Sequence, residues 1–147
     1  MATFNAMSVF SYEKLIDKVF ELKQKYQNKE RYWISAIQLD TAYLRWPQHQ
    51  SVKILDREQK ELILKAAKKA FYYATPEFNH DNFGFSNVEV QKIKRIYDYA
   101  ISEDSFEVEK NRLDFILFVD EHDRRRGTNF FETFPEFTKL YNDVKNR

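Results

Sequence analysis

The chain has 147 residues, 32% charged side chains and a formal net charge of only +1, so its length suits one domain and its charge gives no strong positive field. This balance argues against strong non-specific binding of nucleic acid, although it does not exclude a local basic patch. No cysteine occurs, which excludes disulfides, thiolate zinc sites, cysteine nucleophiles and cysteine-held iron–sulfur clusters within this chain.

No segment approaches the roughly 20 apolar residues that a membrane-spanning helix needs. The first residues show no basic region followed by an apolar run, which a secretory signal would have. We therefore expect a cytoplasmic protein without membrane contact. Only 2 Gly and 3 Pro leave few tight turns, which favours helices.

The first 55 residues predict a βαβ unit. Ala2–Val9 is a short apolar strand candidate, and Ser11 has the residue type of an N-cap for the helix that follows. Tyr32–Leu39 is a compact apolar run, typical of a buried strand. After a loop over Asp40–Gln50, the alternation in Ser51–Leu55 suits a short strand or an extended segment. The predicted apolar face of the first helix consists of Leu15, Val19, Leu22 and Tyr26.

Residues 56–147 predict about four helices, so the expected fold is mainly α with a small parallel β portion. Two helices begin at capping-box pairs and end near Ala74 and Ile101. A third runs from about Phe106 to Arg125 or Arg126, with Gly127 after its C-cap. The capping-box pairs, including one for the last helix, are Asp56 with Gln59, Ser86 with Glu89, and Thr133 with Glu136. The third helix has a wide apolar face of Leu113, Ile116, Leu117 and Phe118, and the last helix presents Phe137, Leu140, Tyr141 and Val144.

The densest run of reactive side chains lies at the end of the third helix. Its acids and histidine, Asp120 to Asp123, are metal-ligand types, but four consecutive helical residues point in different directions. Three interpretations of Arg124, Arg125 and Arg126 stay open. They could interact with the negative end of the helix dipole and pair with Asp120 or Glu121. One of them could instead form a buried pair with a carboxylate inside the fold, or they could contact an anion or a nucleic acid. A separate metal site from His49, His80 and His122 would need tertiary convergence.

Two aromatic loops could pin the chain to its core or form a stacking platform for a ligand. They contain Phe78, Phe83 and Phe85 in one loop and Tyr43 and Trp46 in the other. No glycine-rich phosphate loop, G-x-S-x-G elbow or H-E-x-x-H pair occurs. The sequence contains no catalytic constellation, so it leaves open whether the protein is part of an enzyme.

Three stretches in order, Ala2–Ser8, Asp40–Val52 and Asp123–Phe137, resemble the C-terminal third of radical S-adenosylmethionine enzymes. The resemblance implies late parallel strands of a partial barrel followed by an accessory helical region. That family holds a [4Fe–4S] cluster on a C-x-x-x-C-x-x-C loop, which this chain lacks, so the cluster and S-adenosylmethionine are expected only if a missing N-terminal portion joins it.

Ligands in parallel α/β folds sit at the carboxyl ends of strands. Asn5, Asp40, Tyr43 and Arg45 lie at or after predicted strand ends, so they are candidates for lining the site of a complete enzyme.

Two functions follow as expectations. The chain is a fragment or subunit that is not catalytic alone and completes a barrel supplied by another chain, or it is a helical binding or regulatory module. The second would act through Arg124–Arg126 and the aromatic loops on a protein partner or a second copy. A nucleic-acid contact is the weaker third option.

Overall fold

The computed structural model describes residues 2–26, 37–79 and 83–146. In these ranges the chain is mainly helical, with a small parallel sheet near its N-terminus, as predicted. The strands are β1 (Ala2–Phe4) and β2 (Thr41–Tyr43). The helices are α1 (Val9–Tyr26), α2 (Arg57–Tyr72), α3 (Asn87–Ile101), α4 (Val108–Arg126), α5 (Phe130–Thr133) and α6 (Thr138–Lys145). Four 3-10 turns occur in the same ranges, at Ala6–Ser8, Gln48–Gln50, Val52–Ile54 and Pro135–Phe137.

The sheet pairs β1 with β2 in parallel, with Ala2 opposite Thr41 and α1 as the connection between the strands. The βαβ order is therefore confirmed, but the position of the second strand was wrong. The described end of Tyr32–Leu39 is not a strand, and β2 lies in the segment predicted to be a loop. Residues 32–36 lie outside the described ranges. Only three residues long, β2 is too short to show a clear alternation in the sequence.

Helix α1 begins at Val9, so the prediction that Ser11 is its N-cap was wrong. The 3-10 turn Ala6–Ser8 leads directly into α1, and it is closed at its start by Asn5, whose Oδ1 accepts a hydrogen bond from Ser8 Oγ at 3.2 Å. The buried face also differs from the prediction, because Leu15 is 36% exposed and Tyr26 is 58% exposed. The side chains of α1 that are buried are Val9, Tyr12, Ile16, Val19 and Lys23.

Helices α2 and α3 begin at their predicted capping boxes. Asp56 Oδ1 accepts from the backbone of Gln59 at 2.8 Å, and Ser86 Oγ accepts from the backbone of Glu89 at 3.3 Å. Helix α2 packs against both α1 and α3. The segment Ser51–Leu55 is not a strand; it contains a buried 3-10 turn that enters α2.

Helix α4 ends as predicted, at Arg126, and Gly127 adopts the left-handed conformation with φ of 63°. The third capping box was wrong. Thr133 is the last residue of α5, and Pro135 opens a 3-10 turn before α6. Asn129 caps α5 instead, accepting from the backbone of Phe131 at 3.1 Å.

One hydrophobic core joins the sheet to the helices, with Phe4, Phe85, Phe115 and Phe137 each at most 1% exposed. A buried ion pair crosses the edge of this core. Lys23 Nζ lies 3.0 Å from Glu89 Oε2, and the two side chains are 2% and 4% exposed. Glu89 also accepts from the backbone of Leu39 at 2.7 Å and of Ser86 at 2.8 Å. A single carboxylate thus ties α1, α3 and the segment before β2 together.

Candidate functional site

Helix α4 leaves much of its predicted apolar face in solvent. Of the four residues assigned to that face, only Ile116 is buried, at 1% exposure. Leu113, Leu117 and Phe118 are 49%, 55% and 40% exposed. Leu113 and Leu117 are neighbours one turn apart, and Phe118 is adjacent to Leu117 in the chain. We call these three residues the exposed α4 face. The side of α4 that fills the core consists of Asn111, Phe115, Ile116 and Val119.

The loop after β2 lies beside this face. Its 3-10 turn Gln48–Gln50 packs on α4, and the rings of His49 and Phe118 have centroids 5.2 Å apart. His49 Nε2 is buried and has no hydrogen-bond partner within the described ranges. Trp46 is 77% exposed and precedes His49 by three residues, so their Cα atoms are at most about 11 Å apart. The loop that packs on α4 therefore carries a second large aromatic side chain, Trp46, in solvent.

The C-terminal end of α4 is basic. Arg124 donates two hydrogen bonds to Glu121, each 2.7 Å long, and Arg125 donates to the same carboxylate. The hydrogen bonds from Arg124 and then Arg125 lower the pKa of Glu121 to about 2. Ion pairing with Glu121 is therefore confirmed, and the buried-arginine interpretation was wrong, because these side chains are exposed.

Arg126 is exposed and forms no ion pair in the part of the chain that the structure describes. Arg124 and Arg125 share the one carboxylate of Glu121, so the three arginines together keep a positive excess. A depression of about 300 Å³ lies here, with Phe118, Glu121, His122 and the last two arginines in its wall. The ring of Phe118 thus shares this depression with Arg126, which has no ion-pair partner in the described ranges, and with the paired Arg125.

The remaining acids of the predicted run are structural. Asp120 accepts hydrogen bonds from Tyr141 at 3.0 Å and from Lys145 at 2.7 Å, which ties α4 to α6. Asp123 accepts from the backbone of Phe130 and from Thr128, each at 2.7 Å, and so closes the turn after α4. Within the described ranges, no group of His, Asp and Glu is arranged to hold a metal ion. His80, one of the three histidines considered for a metal site, lies outside those ranges.

The strand-end candidates do not all converge. Tyr43 and Arg45 lie together, because Arg45 donates to the Tyr43 hydroxyl at 2.8 Å and its guanidinium lies 5.2 Å from that ring. Asn5 follows β1, so it lies at the same end of the parallel sheet. Asp40 immediately precedes β2 and pairs with Lys92 at 2.6 Å, which places it at the opposite end.

Most of the loop aromatics are anchors, which confirms that interpretation. Phe85 is fully buried, Tyr43 stacks on Tyr99 with centroids 4.7 Å apart, and Phe78 packs between other rings. Phe83 is partly buried. Trp46 is the exception and remains in solvent.

Sequence reasoning missed a second concave site. A groove of about 560 Å³ lies between the start of α2, the end of α3 and the start of α4. Its basic side chains are Arg57, Lys60 and Arg112. No sequence signal links Arg112 to the other two, because Arg112 lies on α4 and the others on α2, and the three meet only in the folded chain.

Comparison with family models, with characterised proteins and with solved structures finds no match for this chain. No helix in the described ranges has both the length and the apolar character needed to cross a membrane.

Proposed function

We propose that this chain is a helical protein-binding module whose exposed α4 face holds an apolar and acidic segment of another protein. The observation that carries the proposal is the half-exposure of Leu113, Leu117 and Phe118 on a helix whose opposite side already fills the core. Single exposed apolar side chains are ordinary on protein surfaces, whereas Leu113 and Leu117, one turn apart on α4, form a small patch, which Phe118 flanks further round the helix. A patch of this kind fits an amphipathic helix laid along it.

The charges beside the patch indicate the partner's chemistry. Arg124 and Arg125 share a single carboxylate, Glu121, and Arg126 pairs with none in the described ranges, so the positive excess of the three arginines favours acidic residues opposite them. Arg126 is the clearest contact, because it is not engaged with Glu121. Acidic side chains at one end of an otherwise apolar partner helix would meet this region and fix its direction.

The size of the patch predicts a weak, transient complex. Fully burying a Leu or Phe side chain stabilises by about 1.5–3 kcal/mol, so burying the half that is still exposed gives about 1 kcal/mol for each of the three. This sum does not exceed the roughly 4–15 kcal/mol that association costs. Trp46 and the arginines must therefore contribute to any affinity in the micromolar range.

The test captures partners from the source cell by cross-linking and then measures the affinity of the purified partner by calorimetry. Leu117→Asp should weaken binding at least tenfold, because it places a charge in the apolar contact. Arg126→Glu should also weaken binding and reduce its dependence on salt. The matched control is Val88→Asp, which changes a 64% exposed apolar residue on α3. Melting temperatures should stay close to the wild-type value in all three variants.

Two results would refute the proposal. One is full affinity in Leu117→Asp, and the other is an equal loss of affinity in Val88→Asp. Sedimentation of the purified chain identifies the case in which the partner is a second copy. A dimer that Leu117→Asp converts to a monomer would show that the exposed α4 face joins two copies.

The open sheet supports a second candidate, a C-terminal segment of a radical S-adenosylmethionine enzyme that another chain completes. In the described ranges β1 and β2 pair only with each other, and Thr3 and Ala42 on their outer side are exposed. Parallel strands are normally covered on both faces, so a further layer would fit here. This chain has no cysteine, so it does not supply the thiolate ligands of an iron–sulfur cluster.

The test of this candidate uses a chain encoded beside this one that carries the three-cysteine loop. The two chains should co-purify, and Ala42→Lys should separate them while the isolated variant melts like the wild type. Failure of the wild-type chains to associate would rule out this candidate.

A further inference from the structure

The groove between α2, α3 and α4 differs from the exposed α4 face, because it is concave and combines apolar walls with basic side chains. Leu55, Tyr97, Ile101 and Val108 supply apolar surface. Its volume of about 560 Å³ falls within the range of about 300–1,000 Å³ that is usual for small-molecule sites. The shape therefore suits a small ligand with an apolar body.

The acids of the groove are already engaged. Asp56 caps α2 by accepting from the backbone of Gln59 at 2.8 Å, so the helix terminus is satisfied without a ligand. Glu61 accepts from the Tyr97 hydroxyl at 3.4 Å. Neither carboxylate forms an ion pair with the groove's basic side chains.

The basic side chains are less satisfied. Lys60 is partly buried, and neither Lys60 nor Arg57 forms an ion pair in the described part of the chain. Burial, followed by the charges of Arg112 and Lys53, lowers the pKa of Lys60. Arg112 is held at the wall by the Ile54 carbonyl, which accepts from its Nε at 2.7 Å, and its Nη1 pairs with Glu109 Oε1 at 3.4 Å. An anion in the groove would relieve the repulsion among these cations.

We propose that this groove binds a small amphipathic anion, an apolar acyl or aryl body that carries one carboxylate. The carboxylate would accept a charge-assisted hydrogen bond from Lys60, with Arg57 and Arg112 nearby, while the apolar body lies against Ile101 and Val108. One negative charge suffices, because Lys60 is a partly buried ammonium that forms no ion pair in the described ranges, and the charge of Asp56 offsets its own only in part.

The experiment follows backbone amide NMR shifts of the full chain during separate titrations with octanoate, n-octanol and inorganic phosphate. Octanoate, kept below its micelle-forming concentration, should saturate shifts around Arg57, Lys60 and Ile101. Octanol has a similar body without the charge and should bind at least tenfold more weakly. Phosphate has charge without the body and should produce no saturable shift. Bound octanoate should also raise the pKa of Lys60, followed through its side-chain carbon shift.

Lys60→Gln should weaken octanoate at least tenfold and leave octanol unchanged. Lys68→Gln is the matched control, since Lys68 is an exposed lysine on the same helix. Equal affinity for octanol and octanoate would overturn the proposal, as would saturation by phosphate or shifts confined to the exposed α4 face. An unchanged Lys60 pKa would also overturn it. The comparison of octanoate with octanol uses the wild-type chain, so it does not depend on how a variant folds.

Discussion

Removal of Glu89 from the buried Lys23–Glu89 pair should destabilise the chain more than removal of Lys23. In Glu89→Gln the ammonium of Lys23 keeps its burial and loses its counter-charge, which costs about 3–5 kcal/mol. In Lys23→Met the carboxylate still accepts the backbone N–H groups of Leu39 and Ser86, so we expect about 1.5–3 kcal/mol, the contribution of one hydrogen bond to a charged group.

The double variant should lose less stability than the two single variants together. We expect a coupling free energy of about 2–3 kcal/mol, measured by urea unfolding followed by circular dichroism. The matched control is the Lys18–Glu21 pair on α1, whose side chains are both 61% exposed. Its coupling should not exceed about 0.5 kcal/mol.

A coupling below about 1 kcal/mol for the Lys23–Glu89 pair, or one equal to that of the surface pair, would refute the reasoning that this pair is shielded from water. The total stability of a domain is only about 5–15 kcal/mol, so Glu89→Gln approaches the limit of folding. If it unfolds, the whole cycle is run in sucrose, which strengthens burial equally for every variant.

Three further predictions concern stability. Hydrogen bonds from Lys69 and then Lys65 hold the pKa of Glu13 below its usual value of 4.5, so this carboxylate stabilises the fold above that value and the stabilisation is lost as the pH falls through the lower folded pKa. Melting temperatures between pH 5 and pH 3 should fall less steeply in Glu13→Gln than in wild type; parallel curves would contradict this. Gly127→Ala should cost about 1–2 kcal/mol in urea unfolding through its left-handed backbone alone, because a Cβ there would meet no atom within 4 Å, and a cost above 3 kcal/mol would show a contact that the structure lacks. Ile116→Ala should cost about 2–5 kcal/mol, whereas Leu117→Ala on the same helix should stay within about 0.5 kcal/mol, and equal costs would mean that α4 is rotated.

Sequence patterns predicted the features that are determined locally. Helices α2 and α3 begin where Asp56 and Ser86 bond to backbone groups three residues later, which is a short-range interaction that residue type reveals. The same pattern failed at Thr133, because Asn129 starts a short helix earlier and ends it there. Gly127 was identified correctly because few other residues adopt its backbone angles readily.

Features that depend on distant residues could not be predicted. A lysine in an amphipathic helix is expected in solvent, but Lys23 is buried because Glu89, on another helix, meets it. The apolar pattern of α4 was visible, yet it did not reveal that Leu117 stays exposed while Ile116 is buried. The groove around Lys60 likewise arises only when separate helices pack together. The sequence therefore identified candidate residues but did not reveal which of them share a surface or a groove in the folded chain.

Although β1 is synthesised first, it cannot pair until β2 has been made, because Ala2 lies opposite Thr41. At about 5–20 residues per second, β1 leaves the ribosome's catalytic centre about 2–8 s before β2. The apolar side of α1 must also wait for α2, which packs against it. We expect β1 and α1 to meet chaperones and proteases as an unfolded segment until β2 and α2 have been made. A purified fragment of residues 1–60 should be as sensitive to proteolysis as an unfolded chain, whereas protection of this fragment would show that the βαβ unit folds by itself.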